Sequence, residues 1–270
     1  MDEHSELFIG LDTSKLKISV AVAEGERNGE VRFFGDISAD PTSVASMVAK
    51  LAKRGTILHF CYEAGPTGYD LHRQITGLGY DCEVVAPSLI PRRPGDRVKT
   101  NRRDAVSLAR LHRAGELTAV WVPDEVHEAV RDLVRAREGA HDALKKARQQ
   151  LQAFLLRHGR IYKDRTPWTQ VHSRWLARLA FSHPAHHVVL AEYILAIEDA
   201  EVRLERLTRQ VAATAASWSM APVIEAYQAM RGVAFLTAVK LKTVAITAIA
   251  REMAAFLWAI GQEVAPVAQA

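Results

Sequence analysis

The sequence predicts an α/β domain followed by a largely helical region, on three observations. Over the first 90 residues, short runs rich in Val, Ile and Phe alternate with stretches of helical spacing. The Pro- and Gly-bearing segment APSLIPRRPGD (86–96) then interrupts regularity ahead of a strongly basic helix. After WVPDE (121–125), apolar residues follow heptad-like spacing.

LFIGLDTSKLKISVAVAE (7–24), a Glu-Gly-Glu-Arg-Asn-Gly turn and VRFFGDIS (31–38) read together as a hairpin. TSVASMVAKLAKRG (42–55) sets Val44, Met47, Val48 and Leu51 at helical spacing, with Gly55 as a stop. TILHFCYEAG (56–65) reads as a buried strand, TGYDLHRQITGLG (67–79) as a helix and DCEVVAPSL (81–89) as another strand. The predicted order is strand, strand, helix, strand, helix, strand, helix, with a partly parallel sheet. Farther on, Val126, Val130, Leu133, Ala140, Leu144, Ala147, Leu151 and Phe154 mark one long helix, and Leu190, Ile194, Ile197, Leu204 and Val211 a second, at roughly 185–217. Two long helices joined by a turn predict an antiparallel coiled-coil arm. Past them, Gly232 offers a helix-hairpin bend and the tail to Ala270 is apolar and helical. The expected domains are 1–120 (α/β), 121–218 (helical arm) and 219–270 (a curtailed helical domain).

With 49% apolar and 24% charged residues, the chain is neither disordered nor fibrous in composition. Cys61 and Cys82, 21 residues apart, fit no metal knuckle or redox motif and read as reduced thiols. MDEHSELFIG is acidic where a secretory signal would be basic, and no apolar run approaches a membrane span, so a cytoplasmic protein is expected. Net charge is +4 but unevenly spread: residues 1–90 carry 8 Lys and Arg against 13 Asp and Glu, residues 91–180 carry 20 against 10, and residues 181–270 carry 7 against 8. A basic middle third attracts polyanions; a solvated helix face without a partner is the plainer account of the same charge.

The helix in VKTNRRDAVSLARLHR (98–113) places Asn101, Asp104, Ala105, Leu108 and Leu111 on one face, expected to pack inward. Arg102, Arg103, Arg110 and Arg113 gather opposite, and with Arg92, Arg93, Arg97 and Lys99 form a candidate nucleic-acid surface. Asp104 could simply favour the helix dipole. Two other carboxylates are oddly placed, however: Asp12 inside an apolar strand and Glu63 at a strand end before a Gly/Pro turn. Ligands bind beyond the carboxyl ends of parallel strands. If Asp12, Glu63 and Asp104 converge, a divalent cation relieves their repulsion, and oxygen ligands favour Mg²⁺.

GLDTSK, YEAGPTGYDL and KTNRRDA, in this order and at these separations, resemble the signatures of the DEDD transposases of the insertion-sequence family numbered one hundred and ten. RGVAFLTAV (231–239) and REMAAFLWAIGQEV (251–264) are similar to the two ends of that family's second domain. The resemblance implies a ribonuclease H-like (RuvC-like) domain, a coiled coil, a second transposase domain, and Mg²⁺-dependent DNA strand cleavage and exchange by oligomers guided by a structured RNA. Carried over, Asp12 matches the first acid, Glu63 the second and Asp104 the fourth. Asn101 stands where the third acid belongs, and an amide offers a metal an oxygen without charge. The family's serine nucleophile lies in a Gly- and Ser-rich stretch between the two C-terminal segments; here LTAV runs straight into KLKTVAITAIAR, and Ser217 and Ser219 match no part of it. An internal deletion accounts for that gap, and impaired strand exchange is expected.

Other readings stand beside this one. A non-catalytic nucleic-acid-binding remnant would keep the basic surface. An actin-like ATPase or sugar kinase shares the topology and GLDTSK is similar to its first phosphate loop, but no second Asp-Gly-Gly loop follows. His183, His186 and His187 in HPAHH have ligand-like spacing without a completing carboxylate or cysteine nearby. Cys61 beside Glu63 reads as a small buried hydrophobe rather than a nucleophile. Trp168 and Trp175, accompanied by Arg165, Arg174 and Arg178, could stack on bases or cap the arm.

Overall fold

The computed structural model describes residues 6–52, 56–91, 100–163 and 166–244. Gly55, Arg92, Arg93, Arg97, Lys99, Arg165 and the segment 251–264 lie outside the described residues. The chain divides into two compact units, Met1–Val122 and Pro123–Ala270.

In the first unit, β1 (Glu6–Thr13), β2 (Lys17–Glu24) and β3 (Val31–Ser38) form an antiparallel meander. The single hairpin expected over 7–38 is therefore three strands. Apolar character resumes at Ile18, which hides the break, but Ser14 Oγ donates to the Lys17 carbonyl at 2.7 Å and closes a tight turn there. Next come α1 (Pro41–Leu51), β4 (Ile57–Glu63), α2 (Asp70–Gly77), β5 (Asp81–Val85) and α3 (Asn101–Arg113). Residues 87–89, expected to continue the last strand, form a single 3₁₀ turn begun by Pro87. The sheet order is β3-β2-β1-β4-β5, with β4 parallel to β1 and β5 parallel to β4. This mixed five-stranded arrangement is compatible with a ribonuclease H-like domain.

The sheet is covered on both faces. Ile9 and Leu11 of β1 and Val20 and Val22 of β2 meet Val44, Met47, Val48 and Leu51 of α1, the four helix positions the periodicity predicts. Asp40 caps α1, its carboxylate accepting from the Ser43 N–H at 2.8 Å. On the opposite face the residues are small: Ala21 and Ala23 pack against Ala105 and Ala109 of α3. Gly10 lies under the same helix. A Cβ there would come within 2.9 Å of Leu108 Cβ, and closer still to the Ala105 oxygen and Ala109 nitrogen. The absent side chain is what lets α3 sit against β1. At Gly35, φ is +143° where the β2–β3 register slips, a conformation that glycine alone adopts cheaply.

In the second unit, α4 (Glu125–Arg157) and α6 (Pro184–Ala216), each 33 residues, pack antiparallel. Val130 and Val134 meet Val211 and Ala215 at one end, while Leu144, Leu151 and Phe154 meet Leu190 and Ile197 towards the other. Of the positions expected to be apolar and inward, Val130, Ala140, Leu144, Ala147, Leu151 and Phe154 are buried and Leu133 is half-buried beside the buried Val134, but the first is not. Val126 is 59% exposed, because His127, which packs on Trp218 at 4.9 Å, holds the inward position beside it. The two helices are not joined by a simple turn: the connection contains α5 (Gln170–Ala177), whose Leu176 and His172 are buried. Finally α7 (Ala221–Gln228) and α8 (Phe235–Val244) pack beside Val130 and Val211, with Gly232 at φ +85° between them.

Candidate active site at the carboxyl ends of the parallel strands

Strand register fixes where the three acids stand. Leu11 pairs with Tyr62 between parallel β1 and β4, so the next residues, Asp12 and Glu63, end their strands side by side. Side chains alternate across a sheet. Gly10 and Cys61 face α3, since the Cys61 thiol lies 3.8 Å from the Leu108 carbonyl; two residues farther along each strand, Asp12 and Glu63 point to that same face. Phe8, one step earlier, makes an edge-on contact with His112 at 5.4 Å near the other end of α3. The helix therefore runs antiparallel to β1, and its first turn, bearing Asn101 and Asp104, lies over the Asp12 and Glu63 end.

The same row continues across the sheet. Asp12 pairs with Ser19 of β2, and Ser19 with Asp36 of β3. The nearly buried Ser19 hydroxyl donates to Asp36 at 2.6 Å, and Lys17 forms an ion pair with Asp36 at 2.8 Å. These hydrogen bonds, Lys17's foremost, hold the Asp36 carboxyl below its ordinary pKa. Asp36 is a polar member of this face that the sequence reading missed. Strand alternation marks it as surface, and only the register aligns it with Asp12.

The donor types, three carboxylates and an amide, are the hard oxygens Mg²⁺ takes. Among the described residues, no three His, Cys, Asp or Glu side chains are grouped closely enough to hold a metal ion. Asp12, Glu63 and Asp104 share one end of one face without being gathered into a single ligand shell. Asn101, expected to pack inward, is exposed at the first position of the helix, one turn before the buried Ala105. Thr100 caps that opening by accepting from the Arg103 N–H at 3.3 Å.

At the same end of the sheet, but on the α1–α2 face opposite the acids, a cleft of about 630 Å³ opens between the β1–β2 turn and the β4–α2 loop. Its walls include Thr13, Ser14, Lys15 and Thr67, together with the carboxylate of Asp70, and the Thr13 and Thr67 hydroxyls are hydrogen-bonded at 3.2 Å. Hydroxyls and an ammonium suit a phosphate. The Asp-Thr-Ser-Lys run carried that signal in the sequence; Thr67 did not.

The described arginines of α3 differ in occupation. Arg102 and Arg103 are exposed, with the Arg102 guanidinium 5.1 Å from the centre of the Phe33 ring. Arg110 is half-buried. Arg113 donates to the carbonyls of Glu24 and Gly29, at 3.1 and 2.8 Å, and so ties α3 to the β2–β3 turn. Elsewhere, Cys61 is fully buried and burial pushes its thiol well above the ordinary range. In the second unit, His183 caps α6 by accepting from the Ala185 N–H, and the His187 ring bonds the backbone of Phe181.

The transposase family model of DEDD IS110 type matches residues 9–159, a span that contains Asp12, Glu63, Asn101 and Asp104. The chain is 51% identical over 241 residues to a putative transposase, y4qE, of Sinorhizobium fredii (strain NBRC 101917 / NGR234), covering 89% of this chain and 58% of the relative. It is 32% identical over 238 residues to the transposase for insertion sequence element IS1533 of Leptospira borgpetersenii, covering 87% and 68% respectively. The chain belongs to the IS110 family of insertion-sequence transposases. It spans 58% of the length of the first of these relatives. Among the described residues, no helix of this family member is long and apolar enough to cross a membrane.

Proposed function

We propose that this transposase binds DNA, together with a structured guide RNA, in the cytoplasm as a homo-oligomer associated through its α4–α6 arm, and that its first unit is a Mg²⁺-dependent strand-cleavage centre. The observation that carries this reading is the adjacency of Asp12 and Glu63 at parallel strand ends beneath the first turn of α3. Asp12, Glu63 and Asp104 are the residues that would hold the cation, which would have to draw them closer together than they stand, and the chemistry it would supply is charge neutralisation at a scissile phosphate. Thr13, Ser14, Lys15 and Thr67 bind the neighbouring backbone phosphates. Arg92, Arg93, Arg97, Lys99, Arg102, Arg103 and Arg110 extend that contact, with Arg113 serving partly within the fold. Phosphate contacts supply affinity and register, leaving sequence choice to the RNA.

Two features favour impaired strand exchange. Asn101 brings no charge where the family pattern has its third acid, and no Gly- and Ser-rich stretch follows LTAV. These same features support a second reading, a nucleic-acid-binding remnant without catalysis. Incubating the chain with the element's ends, its RNA and Mg²⁺ separates the two. Weak nicking that is lost in Asp12→Asn supports the impaired enzyme; retained binding without any cleavage supports the remnant. Strand exchange at full family levels, or no nucleic-acid binding at all, sinks the proposal.

A further inference from the structure

The far end of α4 and the loop leading to α5 carry a ladder of rings that ends at a cavity. Arg148 lies over Trp168 with its guanidinium 4.9 Å from the ring centre, and Trp168 meets His172 at 5.0 Å. His172 stacks on Trp175 at 5.6 Å with 26° between the planes, and Tyr162 closes on both, 4.6 Å from His172 and 5.2 Å from Trp175. Tyr162, His172 and Trp175 line an adjoining cavity of about 290 Å³, with Leu156 and Ile161 at its mouth, 66% and 63% exposed.

Three properties distinguish this cavity from ordinary packing. Trp168 has φ +67°, making it the one non-glycine residue with positive φ among those described. A bulky side chain holds that conformation only where its surroundings impose it, and such positions cluster at ligand clamps. His172 is 4% exposed, yet its Nδ1 has no hydrogen-bond partner, which is uncommon for a buried polar atom. The surrounding charge is mainly positive: the sequence between 149 and 191 has Arg157, Arg160, Lys163, Arg165, Arg174 and Arg178 against one acid, Asp164, while Arg148 itself is ion-paired with Glu201 at 2.6 Å. An aromatic wall in a cationic setting suits a ligand that is planar and aromatic at one end and anionic at the other. A nucleotide within a single strand meets that description, whereas a paired base has its faces covered by its neighbours.

We propose that this cavity receives an unpaired nucleobase of a single-stranded nucleic acid, stacked on Trp175 and Tyr162, with Arg157 and Lys163 against the flanking phosphates. The proposal rests on the nucleic-acid-binding reading above and adds a site within the second unit. Stacking on one aromatic side chain contributes on the order of tenfold in affinity. The test uses the full chain and a fluorescein-labelled single strand of about 20 nucleotides, as RNA and as DNA, beside its duplex, a length that exceeds common single-strand site sizes.

Trp175→Ala should weaken single-strand binding about tenfold and duplex binding less than twofold, and Trp175→Phe should restore most of the loss. Leu156→Asp, at an exposed position that folding tolerates, should weaken single-strand binding by placing a negative charge at the mouth. Unchanged single-strand affinity in both Trp175→Ala and Leu156→Asp, or equal losses on single strand and duplex, overturns the proposal. A Leu156→Asp chain that changes oligomeric state while binding the single strand normally also overturns it, in favour of a protein-docking face. Wild-type binding to the duplex without single-strand sensitivity to these substitutions leaves the nucleic-acid-binding reading intact. Binding to neither probe removes both.

Discussion

Replacing Gly10 with alanine tests how closely the helix bearing Asp104 is seated on the strand bearing Asp12. The new Cβ would sit 2.9 Å from Leu108 Cβ, and nearer to two backbone atoms of α3. Carbon atoms pack comfortably at about 3.5–4.0 Å, so relief requires α3 to rise by the order of 1 Å. Backbone atoms cannot swing aside as a side-chain tip can, and overpacking of this kind costs about 1–3 kcal/mol. The matched control is Gly139, which is exposed within α4 and has nothing within 4 Å of an added Cβ. Gly139→Ala should stabilise by about 0.5–1 kcal/mol through helix propensity alone. Urea unfolding, with the dependence on denaturant unchanged, should therefore move the two midpoints in opposite directions. If Gly10→Ala is as stable as wild type, the close seating of α3 is wrong, and so is the placement of Asp104 that depends on it. A displacement of this size should also lower any Mg²⁺-dependent nicking by about 10²-fold, since catalytic geometry tolerates little error.

Three further outcomes are expected. Asn101→Asp should tighten Mg²⁺ binding in calorimetry without restoring strand exchange; unchanged affinity argues against the proposed ligand set. Arg113→Ala removes two charge-assisted bonds to the Glu24 and Gly29 carbonyls and should cost about 1.5–3 kcal/mol in thermal unfolding; a normal melting temperature with weakened nucleic-acid binding would make it a surface contact instead. His112 is 8% exposed, and burial lowers its pKa from 6.5 to about 4. Both states are neutral at pH 7.5, so the group contributes no slope there. Below about 6.5 the unfolded chain takes up the proton first, and stability falls towards pH 4 by up to about 3 kcal/mol. Glu83, 3.7 Å from His112, acts oppositely because burial raises its carboxyl, while Asp81 and His59 also face the pair. The clean measurement is accordingly the difference between wild type and His112→Phe, which should be independent of pH above about 7 and change on acidification as the wild type alone loses stability.

The sequence revealed the faces of elements better than their pairings. Period-2 and helical spacing identified Val44, Met47, Val48 and Leu51, and turned Asp104, Ala105 and Leu108 towards the sheet. It could not divide residues 7–24 into two strands, because apolar character is interrupted only by a short polar turn that a bulge would also explain. Nor could it align Asp36 with Ser19 and Asp12: that alignment is a matter of register, and a one-residue slip would send every side chain to the other face. Arg113 looked like a free cation because its carbonyl partners lie 84 and 89 residues away. The aromatic ladder was visible only as scattered Trp and Arg residues. Trp168 reaches its place through a backbone conformation that no composition signals.

The antiparallel pairing of α4 and α6 also sets an order of assembly. At the connected end, contacts such as Phe154 with Tyr193 close a loop of about 40 residues, whereas Val130 and Val211 at the open end are about 80 apart. Doubling a loop adds only about 0.6 kcal/mol of closure entropy, but contacts already made at the near end shorten what remains to be closed. The arm should therefore zip from its aromatic tip towards α7 and α8 and fray in reverse. Leu151→Ala would then slow folding, and Val211→Ala would chiefly hasten unfolding. The last part of the arm to close is the part next to α8, so alterations there should spare the tip.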